Sequence, residues 1–289
     1  MASDGVEKKV AAPLAPRARI GMINFINTAP LYMVWTRSVR HPEWLVTEAT
    51  PAILNRLLFA GDLDLGFVSS YEYAAHPEQY RILSDLSIST TGAVGSVLLF
   101  ANRPIESLDY ELVLLSSQSQ TSVSLVKIIL EEFYKLRPRY VSGLPAEYKG
   151  GEQPAAILAI GDEALRLRKA GLFQYQFDLG QIWRQHTGKP FVFAVWAVRE
   201  DFCWREPDCV VQIHQELLRC VQQGVTELAS ISREVAARIP MPPEECLAYL
   251  KGIEFDLGLP KQEALVLFFE YLIKRGEGAP GTLPLKICG

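Results

Sequence analysis

Apolar and polar positions alternate along this chain in blocks of two lengths. Arg19–Ile23 (RIGMI) is a short apolar run of strand length. Asn24–Pro30 after it is polar, and Pro30 suits the first turn of a helix continuing through Leu31, Tyr32, Val34 and Trp35. A second strand is expected around Leu45–Ala49. Thr50-Pro51 then opens a helix, with Thr as N-cap and Pro at N1, that ends near Ala60-Gly61. Asp62–Val68 reads as the next strand, and Ser69-Ser70 leads into a helix broken by Pro77.

Strands alternating with helices predict a largely parallel sheet with right-handed crossovers. The pattern stutters at 88–105 (ISTTGAVGSVLLFANRPI), which reads as two extended pieces with no helix between them. Leu112–Leu115 and Ala155–Ile160 each open a further strand–helix unit, 190–200 (PFVFAVWAVRE) is one long apolar strand, and the chain from Glu206 onward is almost all helical. The extended segments near 95–101 and 191–198 bracket a block of about 100 residues with its own strand–helix units. Such a block forms a second lobe, entered by one crossing strand and left by the other, with a cleft between the two lobes. The expected fold is therefore α/β and two-lobed, each lobe a mostly parallel sheet flanked by helices. A flexible tail is expected over 1–18, lobe 1 over 19–100 plus 195–289, and lobe 2 over 101–194.

In such sheets ligands bind beyond the carboxyl ends of strands, beside helix N-termini. Four junctions of this kind are lined with small polar residues: Asn24–Thr28, Ser69-Ser70, Ser116–Ser122 and Gly161-Asp162. Helix N-termini carry unpaired N–H groups and partial positive charge, and Ser and Thr hydroxyls add donors, so an anion can be held there without a cationic side chain. Any one such junction is more often a cap than a site, and Asp162 in particular is a good N-cap. The stretch SSQSQTS at 116–122 is longer than capping needs, and it is the strongest of the four signals.

Composition narrows the partners. The net charge is −4, which gives no general field for nucleic acid or anionic lipid. The first 18 residues contain no apolar stretch long enough for a signal sequence, and no run elsewhere reaches membrane-span length. Five scattered cysteines without CxxC spacing argue against zinc or a disulfide framework and for free thiols in a reducing, cytoplasmic compartment. The four histidines have no metal spacing, and His214 lies inside an amphipathic helix as a surface or packing residue. There is no GxSxG elbow, no GxGxxG and no GxxxxGK[ST]. Trp183, Phe193 and Trp196 either line an aromatic pocket or pack the core. The residues alone describe a two-lobed α/β protein for a small anion, with enzyme and receptor both open.

Several stretches together carry a resemblance: IGMINFINTAPL, GDLDLGFVSSYEYA, GAVGSVLLF, SQSQTSVSLVKIIL, AAILAIGDEAL and FDLGQIWRQHTGKPFVFAVWA. In order and spacing, from about Arg19 to Arg199, they resemble the chorismate dehydratases of the futalosine route to menaquinone. The resemblance implies the two-lobed type II periplasmic-binding-protein architecture, reused as a cytoplasmic enzyme. It also implies elimination of water from chorismate to give 3-[(1-carboxyvinyl)oxy]benzoate, a step driven by aromatisation that needs no cofactor and no metal. Asn27, in FIN at the family's FLN-type position, is the implied catalytic polar residue near the leaving hydroxyl or the C3 proton. Ser69 and Ser96 are expected to contact substrate from the first lobe. Ser119, Thr121 and Ser122 are expected to bind a carboxylate from the second, and Asp162 to bind substrate or cap its helix. A neutral Asn is a poor base, so the expected proton acceptor is the substrate's own enolpyruvyl carboxylate. The 1,4-dihydroxy-6-naphthoate synthase of the same pathway, and a non-catalytic solute-binding protein for an aromatic or dicarboxylate ligand, are the competing readings. Neither nucleic acid nor membrane is an expected partner.

Overall fold

A computed structural model describes residues 15–289, so most of the tail expected over 1–18 lies outside the described residues. The chain opens with strand β1 (Ala18–Met22), a 3-10 turn (Ile26–Thr28), helix α1 (Ala29–Ser38), strand β2 (Trp44–Glu48), helix α2 (Pro51–Ala60), strand β3 (Leu65–Ser69), helix α3 (Ser70–Ala75) and the long strand β4 (Tyr80–Thr90). Pro51 stands at the first position of α2, and Gly61 ends that helix with φ +81°, a left-handed conformation that glycine adopts at no steric cost.

A second sheet begins with β5 (Val97–Ala101), followed by β6 (Leu112–Ser116), α4 (Gln120–Lys127), which runs on as a π-turn over Ile128–Phe133, β7 (Arg139–Gly143), β8 (Ala156–Ile160), α5 (Gly161–Ala170), β9 (Tyr175–Asp178) and α6 (Leu179–Thr187). The chain returns in β10 (Phe191–Arg199) and then becomes helical: α7 (Glu200–Arg205), α8 (Pro207–Thr226), α9 (Leu228–Val235), α10 (Pro243–Lys251) and α11 (Leu259–Lys274). It closes with a two-residue strand, β11 (Ile287–Cys288). Gly224 lets α8 lie directly on α1, since a Cβ there would sit 2.0 Å from the Pro30 carbonyl oxygen.

The strand order is β11-β4-β10-β3-β1-β2 in one sheet and β7-β6-β8-β5-β9 in the other. Both sheets are mixed, where mostly parallel sheets were expected. β1 runs parallel to β2 and β3, and β6 parallel to β7 and β8, but β10 is antiparallel to β3 and β4, and β5 is antiparallel to β8 and β9. The reason is geometric. A strand entering one lobe from the other starts at the cleft, whereas the βα units end their strands there. The sheets change hands in the loops 91–96 and 188–190. β5 therefore belongs wholly to the second sheet and β10 wholly to the first, while the expected boundaries at 100/101 and 194/195 fall inside these two strands.

The central strands β3, β5 and β6 are buried along their whole length, and Trp183, Trp196, Phe100, Phe191 and Phe268 are among the largest fully buried side chains. Among the described residues no helix is long and apolar enough to cross a membrane.

Candidate active site

The carboxyl ends of β1, β3, β6 and β8 meet the start of β10 around one cleft of about 60 Å³. All four polar junctions contribute to its lining, through Asn27, Ser69, Ser119, Ser122 and Gly161, and Ser96 joins them from the loop that crosses into β5. Apart from Thr28, the remaining wall is apolar, with Phe25, Phe67, Ile88, Val94 and Phe193. No charged side chain is among the described residues that line it. Charges are held outside: Asp162, Glu163, Arg166 and Arg238 face an adjoining outer basin, which shares only Phe25 and Ile160 with the cleft. Of the three aromatics singled out in the sequence, Phe193 lines the cleft. Trp183 and Trp196 are core residues, and the Trp183 indole donates to the Pro190 carbonyl at 2.9 Å.

Three serine hydroxyls keep a hydrogen for a ligand. Ser69 caps α3: its Oγ accepts from the Glu72 amide at 3.2 Å and from Asn55 Nδ2 at 2.9 Å, filling both acceptor positions. Its O–H is left to point into the cleft. Ser96 Oγ accepts from the Tyr249 hydroxyl at 2.8 Å, which again leaves the serine hydrogen free. Ser119 caps α4 by accepting from the Ser122 amide at 3.3 Å and donates to Ser122 Oγ at 2.9 Å, so the Ser122 hydrogen is the spare one of that pair. The opening amides of α4, at Gln120 and Thr121, have no carbonyl one turn earlier to bond and add their partial positive charge on the same side.

Asn27 supplies the complementary group. It sits in the 3-10 turn after β1, held because Thr28 Oγ1 accepts from the Phe25 amide at 3.1 Å and donates to the Ile23 carbonyl at 2.8 Å. Asn27 Oδ1 is buried and has no hydrogen-bond partner among the described residues. A buried acceptor left alone costs about 1–3 kcal/mol, a cost that a bound hydroxyl or ammonium would relieve. The cleft thus offers donors for anionic oxygens and one acceptor for a donor group.

Thr121 and Asp162 are placed differently from the other predicted residues. Thr121 is fully buried, does not line the cleft, and its Oγ1 accepts from the Tyr71 amide at 2.9 Å. It ties the second lobe to the start of α3. Asp162 neither lines the cleft nor caps α5, whose N-cap is Ile160. Its Oδ1 accepts from the Ile26 amide at 3.0 Å and its Oδ2 faces Arg238 at 3.4 Å. Asp162 thereby joins the second lobe to the turn that carries Asn27.

Three supporting residues gave no signal in the sequence. Asn55, 3 % exposed, donates to both Ser69 Oγ and Gln120 Oε1 (2.6 Å) and so connects the lobes beneath Ser69. Tyr249 reaches Ser96 from α10, and burial pushes its phenol up, keeping it a donor. Asp178 caps α6 through the Gln181 amide and accepts from the amides of Val94 (3.0 Å) and Gly95 (2.7 Å), fixing the loop that carries Ser96. Burial pushes the Asp178 carboxyl up, and these amide bonds oppose that shift. Their signal is spatial: each is brought to the group it orients by the tertiary fold, from 14 residues away for Asn55 to 153 for Tyr249.

Comparison with known proteins agrees with this architecture. A protein-family model described as menaquinone biosynthesis matches residues 18–274. The chain is 33 % identical over 273 residues to a chorismate dehydratase from Thermus thermophilus, covering 88 % of this chain and 94 % of that protein. Among solved structures, protein AF1704 from Archaeoglobus fulgidus superimposes with a TM-score of 0.67 at 18 % identity, covering 90 % of this chain and 97 % of that one. The alkanesulfonate-binding protein SsuA from Xanthomonas axonopodis, bound to MOPS, does so with 0.66 at 15 % identity, covering 92 % and 96 %. Those two likenesses establish the periplasmic-binding-protein-like fold. The family match over nearly the whole described chain goes further: this protein belongs to the menaquinone-biosynthesis family.

Proposed function

We propose that this chain is a hydro-lyase that removes water from chorismate, giving 3-[(1-carboxyvinyl)oxy]benzoate. The observation that carries the reading is the neutral cleft itself. It offers spare serine hydrogens and one orphaned buried acceptor, Asn27 Oδ1, in a chain 33 % identical to a chorismate dehydratase.

The substrate carries two carboxylates and one hydroxyl. Ser69 and Ser96 on one side, and Ser122 with the α4 amides on the other, suit the carboxylates. Asn27 Oδ1 suits the C4 hydroxyl, accepting its hydrogen and fixing the C4–O bond relative to the ring. Elimination needs a base for the C3 proton and a proton for the departing oxygen. Among the described residues no ionisable side chain lines the cleft, so the proposed base is the enolpyruvyl carboxylate of chorismate. It takes the C3 proton and passes it to the leaving hydroxide, so that water departs and the ring becomes aromatic. Neutral donors leave that carboxylate ionised and basic, whereas an arginine pair would lower its basicity. Fixing both carboxylates also selects which bond is aligned for cleavage, and so protects the enolpyruvyl ether. Aromatisation drives the step without an electron sink.

Incubating the purified protein with chorismate and following the product by mass tests this reading. A product lighter than chorismate by one water supports it. Binding of unchanged chorismate would make the chain a receptor, and neither binding nor turnover would point to the naphthoate synthase of the same pathway.

A further inference from the structure

The five cysteines fall into two classes in the fold. Cys209, Cys220 and Cys246 are fully buried. Cys203 and Cys288 are half-buried, and both line a mostly apolar cavity of about 230 Å³ that shares no residue with the cleft. They come from distant parts of the chain, Cys203 from α7 and Cys288 from the edge strand β11. The two residues of that strand pair with Ile82 and Leu83 of β4.

Both thiols face this one cavity, and the ion pair between Glu200 of α7 and Lys286 holds the segment carrying Cys288 beside the helix carrying Cys203. Their mutual influence holds the Cys288 thiol below the usual range and pushes that of Cys203 up. Burial opposes ionisation at both. Arg81, also lining the cavity, favours a thiolate at both, and Glu200 disfavours it. Glu200 is itself neutralised by Arg81 at 2.8 Å and Lys286 at 3.5 Å.

We propose that Cys203 and Cys288 form a reversible thiol–disulfide site that uses a small disulfide, such as oxidised glutathione, as oxidant and covalently fastens β11 to α7. The Cys288 thiolate attacks one sulfur of the small disulfide, forming a mixed disulfide and releasing a thiolate. Cys203 then gives up its proton and attacks the Cys288 sulfur, displacing the second small thiolate. The two protein protons end on the two released thiols, so two protein thiols are oxidised while one small disulfide is reduced. The three buried cysteines take no part, because solvent does not reach them. The bond would close a long loop and tie down the outermost strand of the six-stranded sheet, raising thermal stability.

The test is an intact-mass measurement after incubating the full chain with excess oxidised glutathione, followed by a non-reducing digest. The expected result is a mass lower by two hydrogens, a Cys203–Cys288 cross-linked peptide, and a melting temperature raised by several degrees that dithiothreitol returns to its starting value. Cys288→Ser and Cys203→Ser should each abolish the cross-link and leave at most one glutathione adduct on the remaining thiol. Wild-type protein that ends with glutathione on both thiols, with no modification, or with an internal bond that survives in Cys288→Ser would overturn the proposal. The wild-type masses decide the matter even where a variant folds poorly.

Discussion

Tyr249 donates its phenolic hydrogen to Ser96 Oγ at 2.8 Å from a helix 153 residues further along the chain, and that bond decides what Ser96 can offer a ligand. With one acceptor position occupied, the serine hydrogen is directed into the cleft. Tyr249→Phe removes the constraint without changing the shape of the site. A hydrogen bond of this kind contributes about 1 kcal/mol, so kcat/KM for chorismate should fall about fivefold. Ser96→Ala should cost more, because it deletes the donor itself. Steady-state kinetics of both variants check this, and an unaltered Tyr249→Phe enzyme would remove orientation of Ser96 from the account.

Asn27 is expected to act mainly on turnover. Asn27→Ala deletes the acceptor proposed for the C4 hydroxyl, and Asn27→Asp puts a negative charge into a cleft built for an anion. Each should lower kcat by about 100-fold or more, on the scale seen when a single polar group at a reacting centre is lost. Asn27→Asp should also raise KM. Near-normal rates in both would take Asn27 out of the mechanism.

Thr121→Val should be a stability variant. It leaves the Tyr71 amide without its acceptor in a buried site between the lobes, a loss of about 1–3 kcal/mol. Thermal melts should show a drop of several degrees, and Thr121→Ser, which keeps the oxygen, should restore most of it. A large rise in KM with an unchanged melt would instead favour direct contact between Thr121 and substrate.

Glu72 predicts a pH dependence. It is buried in α3, and burial pushes its carboxyl up to about 7, with the Tyr80 hydroxyl, donating at 3.0 Å, opposing the shift. The His76 ring lies 4.0 Å away. The folded value is above the unfolded one, so the folded state binds the proton more tightly. The resulting stability is fully present below the unfolded value of 4.5 and is lost as pH rises through about 7. The difference corresponds to roughly 3 kcal/mol. Glu72→Gln should flatten the fall in melting temperature between about pH 5 and pH 8, and a wild-type profile without that fall would contradict the assignment.

Much of this molecule could be read from its sequence, for identifiable reasons. The two crossing segments were visible because β5 and β10 are continuous apolar runs, and β5 follows β4 with no helix between them. β7 (RYVSG) and β9 (YQFD) escaped notice as short, half-exposed edge strands without an apolar signature, and β11 has only two residues. The βα units pair in parallel as their alternation implies, but alternation says nothing about a strand that enters from the other lobe, so the antiparallel pairings of β5 and β10 had no signal. Within the site, polar junctions drew attention to the stretches holding Asn27, Ser69, Ser119 and Ser122, the family resemblance added Ser96, and all five share one cleft. Thr121 lies one residue from Ser122, yet the helical rotation between neighbours turns it toward Tyr71 instead. Asn55 and Tyr249 reach their serines only through the tertiary fold, and no local pattern marks them.

The most direct test of the central claim is a proton NMR record of chorismate during incubation with the protein. Retention of the vinylic methylene signals of the enolpyruvyl group, while aromatic ring protons replace the cyclohexadiene ones, is the predicted result. Appearance of free pyruvate with a hydroxybenzoate, or a spectrum of chorismate that stays as it was without protein, would contradict it.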